Sequence, residues 1–244
     1  MATATASAVR HHPGRRYDHY FFSGMAILIL ATVFLGFAHT YYLAGVFRAP
    51  LPAPIIHVHG AIFSCWVLLL ITQTSLVSAH RVDLHRRLGI AGFLVACFMV
   101  ILGILAATNA LGRNFAPPGL DPLTFYVIPI GDMLIFATLI FFAFHERTNP
   151  AAHKRLIMLA TISLLIAAIA RWPFAWVFLK PLVAQMVTYV FLLALIAYDL
   201  WSQGKVHRAT IWGSIFVIVM QLVRVPFGKT ALWHAFAAWA QKLG

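Results

Sequence analysis

Residues 86–111 read RRLGIAGFLVACFMVILGILAATNAL: two arginines, then twenty-four residues without a charge. As a helix rising 1.5 Å per residue this run covers about 36 Å, enough to cross a hydrocarbon core of about 30 Å. Gly89, Gly92, Ala96, Gly103 and Ala106 fall on the side of the preceding His85, and small residues on one face let neighbouring helices approach closely. Six further runs have the same character, near 20–44, 55–79, 123–145, 152–178, 182–202 and 209–228. Turn chemistry separates them. Pro50, Pro52 and Pro54 precede the second, Pro117-Pro118-Gly119 and Pro122 precede the fourth, and Asn149-Pro150 reads as a cap followed by a first-turn proline before the fifth. Asp83 reads as a cap for the third.

The whole-chain composition agrees. Of 244 residues, 62% are hydrophobic and 10% charged, whereas a soluble domain is about a quarter charged. A water-soluble globule is excluded, and an all-α polytopic bundle of seven transmembrane helices is expected. The formal charge of +12 sits in short clusters between apolar runs, the pattern of loops beside anionic lipid rather than of a nucleic-acid surface. Eleven basic residues fall on one side (Arg10, Arg15, Arg16, Arg81, Arg86, Arg87, Arg147, Lys154, Arg155, Lys205, Arg208) and five on the other (Arg48, Arg113, Lys180, Lys229, Lys242). This bias puts the N-terminus inside and the C-terminus outside. The expected organisation is a cytoplasmic segment over 1–19, a transmembrane domain over 20–228, and a periplasmic interfacial tail helix over 229–244, with Leu232, Phe236, Trp239 and Leu243 at helical spacing. Arg15-Arg16 precedes a run long enough to span, with no small-x-small cleavage site after it, which reads as a retained first helix. Cys65 and Cys97 lie inside apolar runs without CxxC spacing and read as small buried hydrophobes.

Twelve histidines in so apolar a chain are the main chemical signal. Residues seven apart lie nearly on one line of a helix. His59, Trp66, Gln73 and His80 keep that spacing on the second span; His207, Ser214 and Gln221 keep it on the seventh, with Arg224 near the same line. On the fifth, His153 and Arg171 are five turns apart and share a face. Such stripes are costly against lipid and should face the bundle interior. By helical rise, Asp132 lies about 13 Å, and Arg171 about 10 Å, from the outer ends of consecutive antiparallel spans, so the two are expected to pair. His39, His59, Gln221 and Arg224 join this outer level. His57 points about 160° away from His59 and is expected to be peripheral. A weak repeat, His85-Arg86-Arg87, His153-Lys154-Arg155 and His207-Arg208, opens the third, fifth and seventh spans; it fits either duplicated hairpins or basic anchoring at the cytoplasmic face.

There is no HExxH, GxSxG or P-loop, and no lysine central to the seventh span for a retinal Schiff base. The run His57-Val58-His59-Gly60, with Trp66, Gln73, Arg81-Val82-Asp83-Leu84-His85-Arg86-Arg87-Leu88-Gly89 and His153-Lys154-Arg155-Leu156, resembles a group of uncharacterised bacterial multi-pass membrane proteins over residues 20–200. The resemblance implies an inner-membrane helical bundle and transfers no activity. A looser similarity is to membrane cytochromes of the b561 kind, which also place histidines near both faces.

Three classes of function fit these residues. In the first, a haem- or metal-binding membrane redox protein, His39 and His59 are ligands to haem b or a transition metal near the outer face. Asp132 serves as a further metal ligand or a tuning charge together with Arg171, and His85 and His153 form a second cofactor site inside. In the second, a small-molecule or proton-coupled transporter or ligand-binding bundle, the same residues line a polar pathway and Asp132 carries a proton. In the third, a structural or assembly partner, all these groups serve helix packing. Expected partners are membrane lipids and a small molecule or redox protein at the outer face. Reporter fusions at Asn114 and Asn149 should report opposite sides of the membrane, Asn149 cytoplasmic; the same side for both would overturn the span assignment.

Overall fold

The computed structural model describes residues 17–50, 52–178 and 180–244, so Arg10, Arg15, Arg16 and most of the N-terminal segment lie outside the described residues. Helices account for nearly all of it, with no strand among the described residues. α1 spans Asp18–Phe37 and runs through a π-helical turn, Ala38–Tyr42, into the short α2, Ala44–Phe47. α3 is Pro54–Ser78, α4 Val82–Gly112, α5 Pro122–His145, α6 Pro150–Ser163 and α7 Ile166–Ile169. α8 is Pro181–Gln203, α9 Arg208–Gly228 and α10 Ala231–Gln241. Seven segments are long and apolar enough to cross a membrane, with α6 and α7 together forming the fifth. The chain is a multi-pass membrane protein. Ile27, Ile90, Leu94, Phe98, Phe141, Leu193 and Trp212 stand on its outer surface, where lipid solvates them.

The helix starts follow from local chemistry. Pro54, Pro122, Pro150 and Pro181 each open a helix, where the missing N–H costs nothing. Asp121 caps α5 by accepting from the Thr124 amide at 2.8 Å, and hydrogen bonds from Thr124 hold its carboxyl below the usual carboxylate range. Asn149 caps α6 at 3.4 Å, as the Asn-Pro pair predicts. Asp83 does not cap α4: it lies within the first turn and forms an exposed pair with Arg81 at 3.4 Å. α8 ends on Gly204, whose φ of 68° is the left-handed conformation of a helix stop.

α5 and α6 occupy the centre. α5 packs on α4, α6, α9 and α10, and α6 on α5, α8 and α9. Gly92 faces Leu69 of α3 and Gly103 faces Met133 of α5, so the small-residue face of α4 is the buried one. Gly36 lets α1 lie directly against the Ala168 backbone of α7, where a Cβ would collide. Trp66 bridges α3 to α6 through Thr161 at 3.2 Å and meets Phe136 edge to face. α10 closes one end of the bundle: Trp233 donates to the Leu123 carbonyl at 2.8 Å, while Leu232, Phe236, Trp239 and Leu243 are exposed. Cys65 and Cys97 are free but lie on the outward surface rather than in the core, because the inward face of each helix is taken by the Trp66 and small-residue stripes.

The fifth span departs from expectation. Its helix stops at Ser163, resumes for one turn and ends at Ile169, short of residue 178. Pro173 cannot continue a helix, and Ser163 Oγ bonds back to the Ala160 carbonyl at 2.8 Å, competing with the regular ladder.

The ends of α1, α6, α8 and α9 that carry the basic connections are locked by charge. Arg155 and Asp199, 1% and 0% exposed as side chains, form an ion pair. Asp199 also accepts from Thr210 Oγ1, from the His207 amide at 3.0 Å and from Gln203 at 3.4 Å. Beside it Asp18 pairs with Lys154 and accepts from Tyr198 at 2.7 Å, tying α1 to the same point. Removing one partner leaves the other buried and unpaired, so Arg155→Ala or Asp199→Ala should each cost about 3–5 kcal/mol. Thermal unfolding in detergent should show the double variant losing less than the sum of the singles; additive losses would deny the pair.

Candidate functional site

The second buried charge cluster is incompletely satisfied. Asp132, 7% exposed on α5, pairs with Arg224, 6% exposed on α9. The guanidinium reaches the Ile128 carbonyl at 3.4 Å and Gln185 Oε1 on α8 at 3.5 Å. Gln185 donates to Gln221 at 2.6 Å, and Gln221 donates to the Ser163 carbonyl at 3.4 Å. Arg224 Nε, Tyr189 Oη and Ser214 Oγ are buried near or below this chain without a hydrogen-bond partner.

Backbone irregularity brings these groups together. Past Ser163 the amide of Ala167 bonds the Leu164 carbonyl at 3.4 Å, which leaves the Ser163 carbonyl to Gln221. Pro129 within α5 and Pro226 within α9 each remove a ladder hydrogen bond close to the ion pair. Of the four helices meeting here, α6 is broken at the cluster, and α5 and α9 each run through a proline that lacks its ladder bond. In membrane proteins, irregular backbone at depth is tolerated where protein or a cavity satisfies it, and such helices build binding sites.

Arg171, expected to meet Asp132, does not. The break in α6 and α7 destroys the helical phase that put Arg171 on the His153 face. Its guanidinium instead donates to the Ala167 carbonyl and lies 5.1 Å over the Phe37 ring. Arg224 takes its place. Sequence depth placed Arg224 and Gln221 at the right level, whereas Gln185 and Tyr189 were missed; a glutamine and a tyrosine one turn apart in an apolar run were the available signal.

The outer histidines have different neighbours. His39 lies in the π-helical turn, exposed and stacked on Phe47 at 3.7 Å. His59 is half-buried, packed on Phe63, with Nδ1 buried and unpartnered and Arg171 close enough to interact electrostatically. His57 is exposed, its carbonyl accepting from Tyr41 at 3.0 Å. Among the described residues no three His, Cys, Asp or Glu side chains gather as a metal set, so His39, His59 and Asp132 are not drawn together as one.

The inner pair is assembled: the rings of His85 and His153 stand 6.3 Å apart, edge to face. Each is the fourth residue of its helix, α4 and α6, whereas His207 is the cap of α9, accepting from the Ala209 amide at 3.1 Å. The threefold His-basic pattern therefore holds two equivalent positions and one different one. Burial, with Arg155 nearby, lowers the affinity of His207 for a proton.

Thermal unfolding should distinguish the two candidate partners of Asp132. Asp132→Ala and Arg224→Ala should be non-additive, each single costing about 3–5 kcal/mol. Asp132→Ala and Arg171→Ala should add; the reverse pattern would restore the Asp132–Arg171 pairing.

The sequence matches no protein-family profile, and no curated protein or solved structure is similar to it; the functional reading rests on the chain's own residues.

Proposed function

We propose that this inner-membrane protein is a proton-coupled transporter or ligand-binding bundle for a small solute, with Asp132 carrying the proton and Arg224 as its counter-charge. One observation carries the reading: a buried ion pair with unsatisfied donors around it, where the break after Ser163 meets the proline-containing helices α5 and α9. A buried carboxylate that serves packing alone gains from a donor on each oxygen, as Asp199 has. Protonating Asp132 removes the charge that holds Arg224, and the freed guanidinium then has Gln185 and Tyr189 within its surroundings. The prolines and the α6 break supply the flexibility that such a change of partner needs. Two surface hollows, of about 190 and 440 Å³, are lined by residues outside this cluster.

His39 stacks on Phe47 and His59 packs on Phe63, and neither contact supports the redox reading.

Proteoliposomes loaded with a pH-sensitive dye test the proposal. Wild-type protein should carry protons down an imposed gradient faster than protein-free vesicles. Asp132→Asn should abolish the flux, and Asp132→Asn combined with Arg224→Gln should recover thermal stability without recovering flux. Flux retained in the double variant, or none above empty vesicles in the wild type, would overturn the reading.

A further inference from the structure

Near the basic end two buried polar atoms lack any partner, Nδ1 of His85 and Oε1 of Gln73. They belong to neighbours, because Gln73 Nε2 donates to the His85 carbonyl at 3.3 Å. The His153 ring stands opposite, 6.3 Å from His85 centre to centre. His153 Nδ1 lies 2.7 Å from the Ala143 carbonyl, near the end of α5. A carbonyl only accepts, so Nδ1 carries the hydrogen and the neutral ring keeps its lone pair on Nε2. Tethering one ring N–H to a backbone carbonyl is how metal-binding histidines are oriented.

We propose that Gln73, His85 and His153 form a site for one divalent transition-metal ion of the zinc class, bound by two imidazole nitrogens and the amide oxygen, with a fourth position open. A Zn–N bond of about 2.1 Å puts the ring centre about 3.2 Å from the metal, so two rings on a tetrahedral ion have centres about 5 Å apart, and the pair closes by about 1 Å on binding. Electronic character points the same way. The amide oxygen and the His153 Nε2 lone pair are acceptors carried by different helices, which suits a cation and repels a phosphate. Arg86 and Arg87, on the turn after His85, are exposed, and solvent screens the charge that Arg86 presents to His85. Two imidazoles and a neutral oxygen suit zinc, copper or nickel better than calcium or magnesium. The site draws on α3, α4 and α6, whereas the Asp132 network draws on α5, α8 and α9 with the Ser163 carbonyl, so each can fail without the other.

Tag-free, metal-stripped protein in detergent is titrated with Zn²⁺ by calorimetry and with Co²⁺ by absorption. Wild type should bind one tight equivalent of Zn²⁺ and develop ligand-field bands with Co²⁺. His85→Ala and His153→Ala should each weaken binding by about 100-fold and remove the bands, and Gln73→Ala should weaken it by about tenfold. His57→Ala should bind as wild type. His153→Gln keeps a donor for Ala143 and should also lose the metal, which serves if the alanine variant does not fold. Equal Zn²⁺ binding by wild type and the His85→Ala/His153→Ala double variant, or Co²⁺ spectra without ligand-field bands, would overturn the site and leave a bridging water as its occupant.

Discussion

The bundle depends on one buried carboxylate being fully satisfied. Asp199 has no exposed surface, and donors from α6, α8, α9 and the connection before α9 converge on it: Arg155, Gln203, Thr210 and the His207 amide. A charge there is tolerable only because each lone pair meets a donor. That requirement sets the rotation and register of three helices at once, and through Lys154, Asp18 and Tyr198 it reaches α1. In lipid, where no hydrophobic force drives helices together, such bonds and close small-residue packing decide the arrangement.

Against this fixed end, the Asp132–Arg224 cluster stands out by its incompleteness. Both pairs are buried to a similar degree, yet Asp199 has a donor for each oxygen while Arg224 keeps an unpartnered Nε and Tyr189 an unpartnered hydroxyl. The helices differ too. Close to Asp132, α6 breaks and α5 and α9 each carry an internal proline, whereas α8 runs unbroken through Asp199. A rigid end and a yielding polar centre together suit a protein that changes the partners of one charge without unfolding.

Much of this was legible in the residues. Apolar length defined the seven spans, proline and Asn-Pro placed their starts, and seven-residue spacing put Trp66, Gln73, Ser214 and Gln221 inward. What failed did so where helical phase fails. Arg171 was assigned by counting turns from His153, and that count is void across the break after Ser163. Two arginines shared the depth of Asp132, and nearness in sequence favoured the wrong one. Arg155 read as a lipid anchor because it stands in a basic cluster; its partner lies 44 residues on, near the end of α8, where a lone acid after an apolar run was the signal to follow. His39 shares a depth with His59 but sits in a π-helical turn, which sequence periodicity does not foresee.

The central claim is that Asp132 exchanges its proton while the bundle stays folded. Infrared difference spectroscopy on reconstituted protein, taken across a pH step, tests it most directly, because a protonated carboxyl has its own carbonyl stretch. The account predicts a reversible band that shifts in heavy water, is absent in Asp132→Asn and persists in Asp18→Asn. A difference spectrum unchanged by Asp132→Asn would contradict it and make the pair a fixed structural bond.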